Sequence, residues 1–146
     1  VPPDPRPAGT LLGFDFGTRR IGVAVANTIT CQATPLTTIE TADDRARLDA
    51  IATLVREWAP SQLVVGVPVH ADGAAHAMTA RARAFAATLA KRFGLPVTEV
   101  DERYTTEIAQ QVLDASALPR HRHRAVRDQV AAQLILQGFL DEPRTA

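Results

Sequence analysis

The sequence predicts an α/β domain: a five-stranded mixed sheet in the order β-β-β-α-β-α-β-α-α, with helices on both faces. Three observations carry that prediction. Three β-rich runs follow one another before residue 40, close enough to pair as an antiparallel meander. Beyond Thr41, helical runs alternate with short apolar runs, as crossover connections between parallel strands require. One of those short runs, LVVGV at Leu63 to Val67, is apolar throughout, as in a strand covered on both faces.

Leu11 to Phe16 is the first strand, closed by Gly17 and Thr18. Alternation puts Leu12, Phe14 and Phe16 on one face and Leu11, Gly13 and Asp15 on the other. Ile21 to Ala26 follows after a Gly17–Arg20 turn, so the two form a hairpin. Ala33 to Ile39 is a third, more exposed strand. Thr41 precedes Asp43 and Asp44, the pattern of a helix N-cap with acids in the first turn. Leu48, Ile51, Ala52, Leu54, Val55 and Trp58 then recur at helical spacing until Pro60. After the fourth strand come a loop, Pro68 to Gly73, and an Ala-rich helix, Ala74 to Phe93, with Gly94 as its C-cap. Val97 to Val100 is the fifth strand. Thr105 or Thr106 caps a helix reaching Leu113. Asp114 to Arg120 is a loop, and a last helix runs from about His121 to Leu140.

Composition narrows the class. The chain has 146 residues, 46% hydrophobic and 22% charged, which suits one globular domain and excludes collagen, disordered and disulfide-scaffold chains. Residues 1–10, with four prolines, are expected to be a flexible lead-in, 11–141 the domain and 142–146 a flexible tail. No apolar stretch is long enough to span a membrane. A single cysteine, Cys31, allows no internal disulfide and suits a reducing compartment, so a cytoplasmic protein is expected. Basic and acidic residues balance at 16 each, which excludes a strongly basic nucleic-acid binder in bulk but not a local basic patch. Lys91 is the only lysine, so nearly all positive charge is the planar, bidentate kind that suits phosphate.

Three acidic positions stand out. Asp15 lies in an apolar strand, LLGFDFG, where a carboxylate is costly without a cation or donors; alternatively it hydrogen-bonds its own turn. Asp101 and Glu102 follow a strand directly, where ligands gather in open α/β sheets. They meet Asp15 if the two strands are parallel neighbours; otherwise they are an acidic loop before a helix. Asp128 lies in the last helix, one turn before Ala131 and Ala132, near its apolar stripe; alternatively it pairs with Arg127 or faces solvent. Together, three such carboxylates suit a hard divalent cation, and two ions would support phosphodiester cleavage. Arg19, Arg20, Arg103, Arg122 and Arg124 supply the complementary charge for phosphate. His70 lies in the 68–73 loop and His76 just beyond it, and no spacing suits a structural zinc.

Four blocks, GFDFGTRRIGVAVAN (13–27), VVGVPVHADG (64–73), DERYTT (101–106) and VRDQVAAQLILQGFLD (126–141), resemble the YqgF/RuvX family. These are the pre-16S rRNA nucleases, also described as Holliday-junction-resolvase-like. The resemblance covers nearly the whole chain. It implies an RNase H-like fold and a nuclease dependent on Mg²⁺ or Mn²⁺, with Asp15, Glu102 and Asp128 as catalytic metal ligands. It implies that Arg19, Arg20, His70 and Arg103 contact structured RNA, and that the role is maturation of the 5′ end of 16S rRNA. The chain departs from the family at Ala26–Asn27, where Ser-Asp is common, and at His70–Ala71, where Asn-Met is common.

Three other readings compete. A resolvase of branched DNA uses the same chemistry. A nucleotide-binding domain is suggested by the Asp-x-Gly-Thr stretch, although the chain is short for the two domains such proteins need. A non-catalytic RNA-binding factor would use the arginines alone. Alanine-rich helix faces allow a homodimer.

Overall fold

Alternation in the first apolar run decides how the sheet is covered. In a computed structural model, which describes residues 9–68, 74–102 and 105–142, that run is β1 (Thr10–Phe16). It is followed by β2 (Ile21–Asn27), β3 (Gln32–Ile39), α1 (Asp44–Trp58), β4 (Gln62–Val67), α2 (Ala74–Phe93), β5 (Val97–Asp101), α3 (Thr105–Asp114) and α4 (His123–Asp141). A 3₁₀ turn, Arg120–Arg122, leads into α4. Of the expected lead-in and tail, residues 1–8 and 143–146 lie outside the described residues. Thr10 is already in β1.

The sheet order is β3-β2-β1-β4-β5. β1–β2 and β2–β3 are antiparallel; β1–β4 and β4–β5 are parallel. The mixed sheet is therefore the predicted one, with one correction. β1 and β5 are not neighbours, because β4 lies between them. A crossover connection sets hand and direction but leaves strand order open, so adjacency was not readable from the spacing.

Both faces are covered. Leu12 and Phe14 are fully buried with Ile51 of α1 and Leu89 of α2. On the other face Leu11, Val64 and Ala24 pack under Ile135 and Leu136 of α4. α3 lies on the far side of α4 through Ala109, Leu113, Val130 and Ala131. Every residue of β4 is buried, as its continuous apolar pattern requires. No helix of the described residues is long and apolar enough to cross a membrane.

Element ends follow local chemistry. Asp43, not Thr41, caps α1, accepting from Ala46 N at 2.9 Å; Thr41 Oγ1 accepts from Asp43 N at 3.1 Å and sets up the turn before it. Ala59 ends the helix in a left-handed conformation just before Pro60. Gly94, at φ +63°, ends α2. Two amides of α4 grip the edge strand: Gln137 Oε1 accepts from Ala33 N at 2.9 Å, and Gln133 Nε2 donates to Ala33 O at 3.1 Å.

α4 seats on the sheet through a missing side chain. A Cβ at Gly22 would collide with the carbonyl oxygen of Asp128. Gly22→Ala should therefore force the helix off the sheet and cost about 1–3 kcal/mol, the usual range for overpacking. Urea denaturation checks this: an unchanged midpoint would mean that α4 is not held this closely.

Candidate functional site

Asp15 sits near the carboxyl end of β1 with a glycine on each side. Its partner on β2 is Gly22, and its partner on β4 is Gly66. Residues opposed across strands project to the same face, so this row points toward α4. The two glycines leave open space on either side of the Asp15 carboxyl. The backbone of Asp128 occupies one gap. Ile135 of α4 and the Glu102 carboxylate share the other: a Cβ at Gly66 would collide with Ile135 Cδ1 and stand 2.8 Å from Glu102 Oε2.

The row also selects Glu102 over Asp101. Gly66 pairs with Val100 and Val67 with Asp101. Alternation turns Val100 toward α4, Asp101 away, and Glu102 back again. Glu102 N donates to Val67 O at 3.2 Å, which carries the ladder one residue past the strand and keeps that alternation in force. The two acids thus converge across β4 rather than side by side.

Asp15 and Glu102 hydrogen-bond through their side chains. Asp15 keeps a window to solvent, yet the protein packed around it pushes its pKa well above the usual carboxylate range; the charges of Glu102 and Asp128 add to the rise. Burial also raises Glu102, the bond from Asp15 draws it back, and the charge of Asp101 raises it again. A side-chain bond between two carboxyl groups needs one proton, so the pair titrates as a unit and ionisation of one opposes ionisation of the other.

Asp128 is near enough for its charge to be felt at Asp15, but its own carboxylate faces elsewhere. Arg20 Nε donates to Asp128 Oδ2 at 2.7 Å, with both side chains mostly covered. Among the described residues, no three His, Cys, Asp or Glu side chains stand as a ready-made metal set. The donor chemistry nevertheless suits a hard cation. Two carboxylates already share one proton, which a divalent ion would replace, and a third is adjacent.

The cationic part adjoins this site. Arg19, Arg20, Glu40, His121 and Arg124 line a recess of about 460 Å³. Arg122 is exposed on the 3₁₀ turn and does not line it. His70 and Arg103 lie outside the described residues. His123, also in the basic run, is buried: its Nε2 lies 3.0 Å from Leu118 O and its Nδ1 3.1 Å from Gln110 Nε2, which the Nε2–H tautomer satisfies. Arg127 donates to Gln110 rather than to Asp128. Sequence reasoning passed over Gly22 and Gly66 as site residues, although glycine inside a strand is itself a sign of close approach. Glu40, at the end of β3, gave no such sign.

Comparison with known proteins adds the following. The sequence model of RuvX, described as Holliday junction resolvase, matches residues 9–142. Curated relatives from Chromobacterium violaceum, Nitrosospira multiformis and Dechloromonas aromatica are 52%, 48% and 49% identical, each over 92% of this chain and over 99%, 89% and 92% of theirs. All three carry the name "Putative pre-16S rRNA nuclease". A solved structure of Thermus thermophilus RuvC with Holliday junction substrate superposes with a TM-score of 0.55 at 16% identity, covering 90% of this chain and 93% of that one. The RNase H-like architecture expected from the sequence is the one observed.

The shared proton has a measurable consequence. Both acids hold protons more tightly in the folded chain than in the unfolded one. Their contribution to stability is complete below the ordinary values of 3.8 and 4.5 and is lost as pH rises through the elevated folded values. In EDTA, this pair should therefore pull the melting temperature down as pH rises from about 4. Asp15→Asn should flatten that fall and stabilise the protein at neutral pH. Thermal melts of both proteins across pH test this; parallel curves would remove the proton from the pair.

Proposed function

Because the chain belongs to the RuvX family of nucleases, we propose that it is a divalent-cation-dependent endonuclease that matures the 5′ end of precursor 16S rRNA in the cytoplasm. The observation that carries the catalytic part is the hydrogen-bonded Asp15–Glu102 pair at the end of the sheet. The RNA substrate is supported by the names of relatives at about half identity, and the grip on nucleic acid by the recess of arginines beside the acids. The reading holds for a monomer and a homodimer alike, since acids and arginines come from one chain.

Asp15 and Glu102 would hold Mg²⁺ or Mn²⁺, with Asp128 as the third carboxylate. A cation there supplies an activated water and offsets the charge building on the phosphodiester. The protein does the rest. The pair would release its shared proton to solvent, leaving both carboxylates as anionic ligands. Arg20 neutralises Asp128 until substrate arrives, then turns its planar guanidinium to phosphate alongside Arg19 and Arg124. One arginine thereby serves two anions in succession, which keeps the cluster of acids from repelling the polyanion it must cut.

The family's description as Holliday junction resolvase favours a second reading, cleavage of a DNA four-way junction by the same groups. A precursor 16S rRNA fragment and a four-way junction, assayed side by side with Mg²⁺ and with EDTA, separate the two. Asp15→Asn should lower cleavage of the true substrate by at least about a hundredfold. Undiminished cleavage by that variant would refute the scheme. Arg20→Gln should tighten Mg²⁺ binding measured by calorimetry without RNA, because Asp128 loses its competitor, while RNA binding weakens. A variant that leaves both affinities unchanged removes Arg20 from the mechanism.

A further inference from the structure

A second cavity opens on the opposite face of the sheet. It lies between α1 and α2 at the end of β1 and measures about 390 Å³. Phe16, which points into this side, follows Asp15 directly in the chain. Its ring and that of Phe85 stand 5.0 Å apart, tilted by 39°. Phe14 meets Phe85 edge-on behind them, with centroids 6.0 Å apart, so the aromatic floor is packed from below.

The wall is cationic. Arg47 is buried, only 4% exposed. Its Nε donates to Thr41 O at 2.6 Å and its Nη2 to Gly17 O at 2.7 Å. Its guanidinium carbon lies 5.5 Å from the Phe16 ring centroid. Two donated bonds pin the turn after β1, and the same residue lines the cavity. Arg81 lines the cavity from α2, exposed, and no ion pair is formed with it among the described residues. The two guanidiniums are close enough to work against each other; Asp44 on the rim offsets them in part. Pinning the turn explains Arg47 but not Arg81.

We propose that this cavity binds a nucleotide, free or as one unit of a single-stranded nucleic acid. Its size lies within the range of about 300–1,000 Å³ usual for small-molecule sites. A flat base packs against the parts of Phe16 and Phe85 that line the cavity, and the phosphate meets Arg47 and Arg81. Inorganic phosphate would make no use of the aromatic lining. An uncharged aromatic would leave two like charges facing each other. A ligand with an aromatic body and an anionic end meets both halves. The site shares no residue with the Asp15–Glu102 pair, so the proposal stands apart from the nuclease reading.

The test uses the full chain in EDTA, titrated with AMP, adenosine, inorganic phosphate and a short single-stranded oligoadenylate. Binding is followed by calorimetry and by backbone amide shifts. AMP and the oligomer should shift Phe16, Arg47, Arg81 and Phe85, and adenosine and phosphate should each bind about tenfold more weakly or worse. Arg81→Gln should weaken AMP about tenfold, and Phe85→Leu about fivefold. An oligomer that binds much more tightly than AMP assigns the site to a strand; equal affinities assign it to free nucleotide. No AMP binding near 1 mM overturns the proposal, as does AMP binding that neither variant weakens. Arg81 is exposed, so its variant tests the site whatever Phe85→Leu does to packing. The assay contains no divalent cation and reads no cleavage, so its failure is distinct from failure of the nuclease scheme.

Discussion

Two carboxyl groups held side by side, partly out of water, are the constraint that the architecture is arranged around. Such a pair resists ionising together and destabilises the fold that encloses it at neutral pH. The surrounding sequence shows what it takes to keep it. Both cross-strand neighbours of Asp15 are glycines, because one gap must admit the backbone of α4 and the other the Ile135 side chain together with the Glu102 carboxylate. β4 is buried along its whole length, so the platform between the acids is rigid. The site is thus built less from the side chains it has than from two that are missing.

Much of this was legible in the sequence. The alternation in LLGFDFG placed Asp15 on the face that α4 covers, and LVVGV announced a strand with helices on both sides. The choice between Asp101 and Glu102 follows from the same alternation once β5 is known to continue past Val100. What was not legible was long-range. Nothing local says that β4 separates β1 from β5. Nothing local says that Arg20 meets Asp128, a pairing across 108 positions. The capping of α1 offered Thr41 and Asp43 two residues apart, and the chain uses both for different turns. His123 stands between Arg122 and Arg124, in a stretch whose charge suggests solvent. Its position seven residues before the buried Val130, two helical turns along one stripe, was the sign of its burial.

A chain with no net charge still presents a strongly polarised neighbourhood here. Three arginines and a histidine face one glutamate in the recess, while the acids lie beside it under α4. The Arg20–Asp128 bond joins the two halves and cancels charge where they touch. Bulk neutrality therefore reflects pairing of opposites at close range rather than an absence of field, and an arriving phosphate would sense the local balance, not the sum.

The glutamines that α4 lays against Ala33 carry a further implication. β3 is an outer strand, and its outward N–H and C=O at Ala33 would ordinarily be free to accept another chain by β-addition. Side-chain amides stand there as a surrogate for a sixth strand. A copy of this chain, or any extended peptide, could pair at Ala33 only by displacing the two glutamines of the helix that bears Asp128. Growth into an open-ended ribbon along this border would come at the expense of the arrangement around the acids, and a symmetric assembly has reason to form through some other surface.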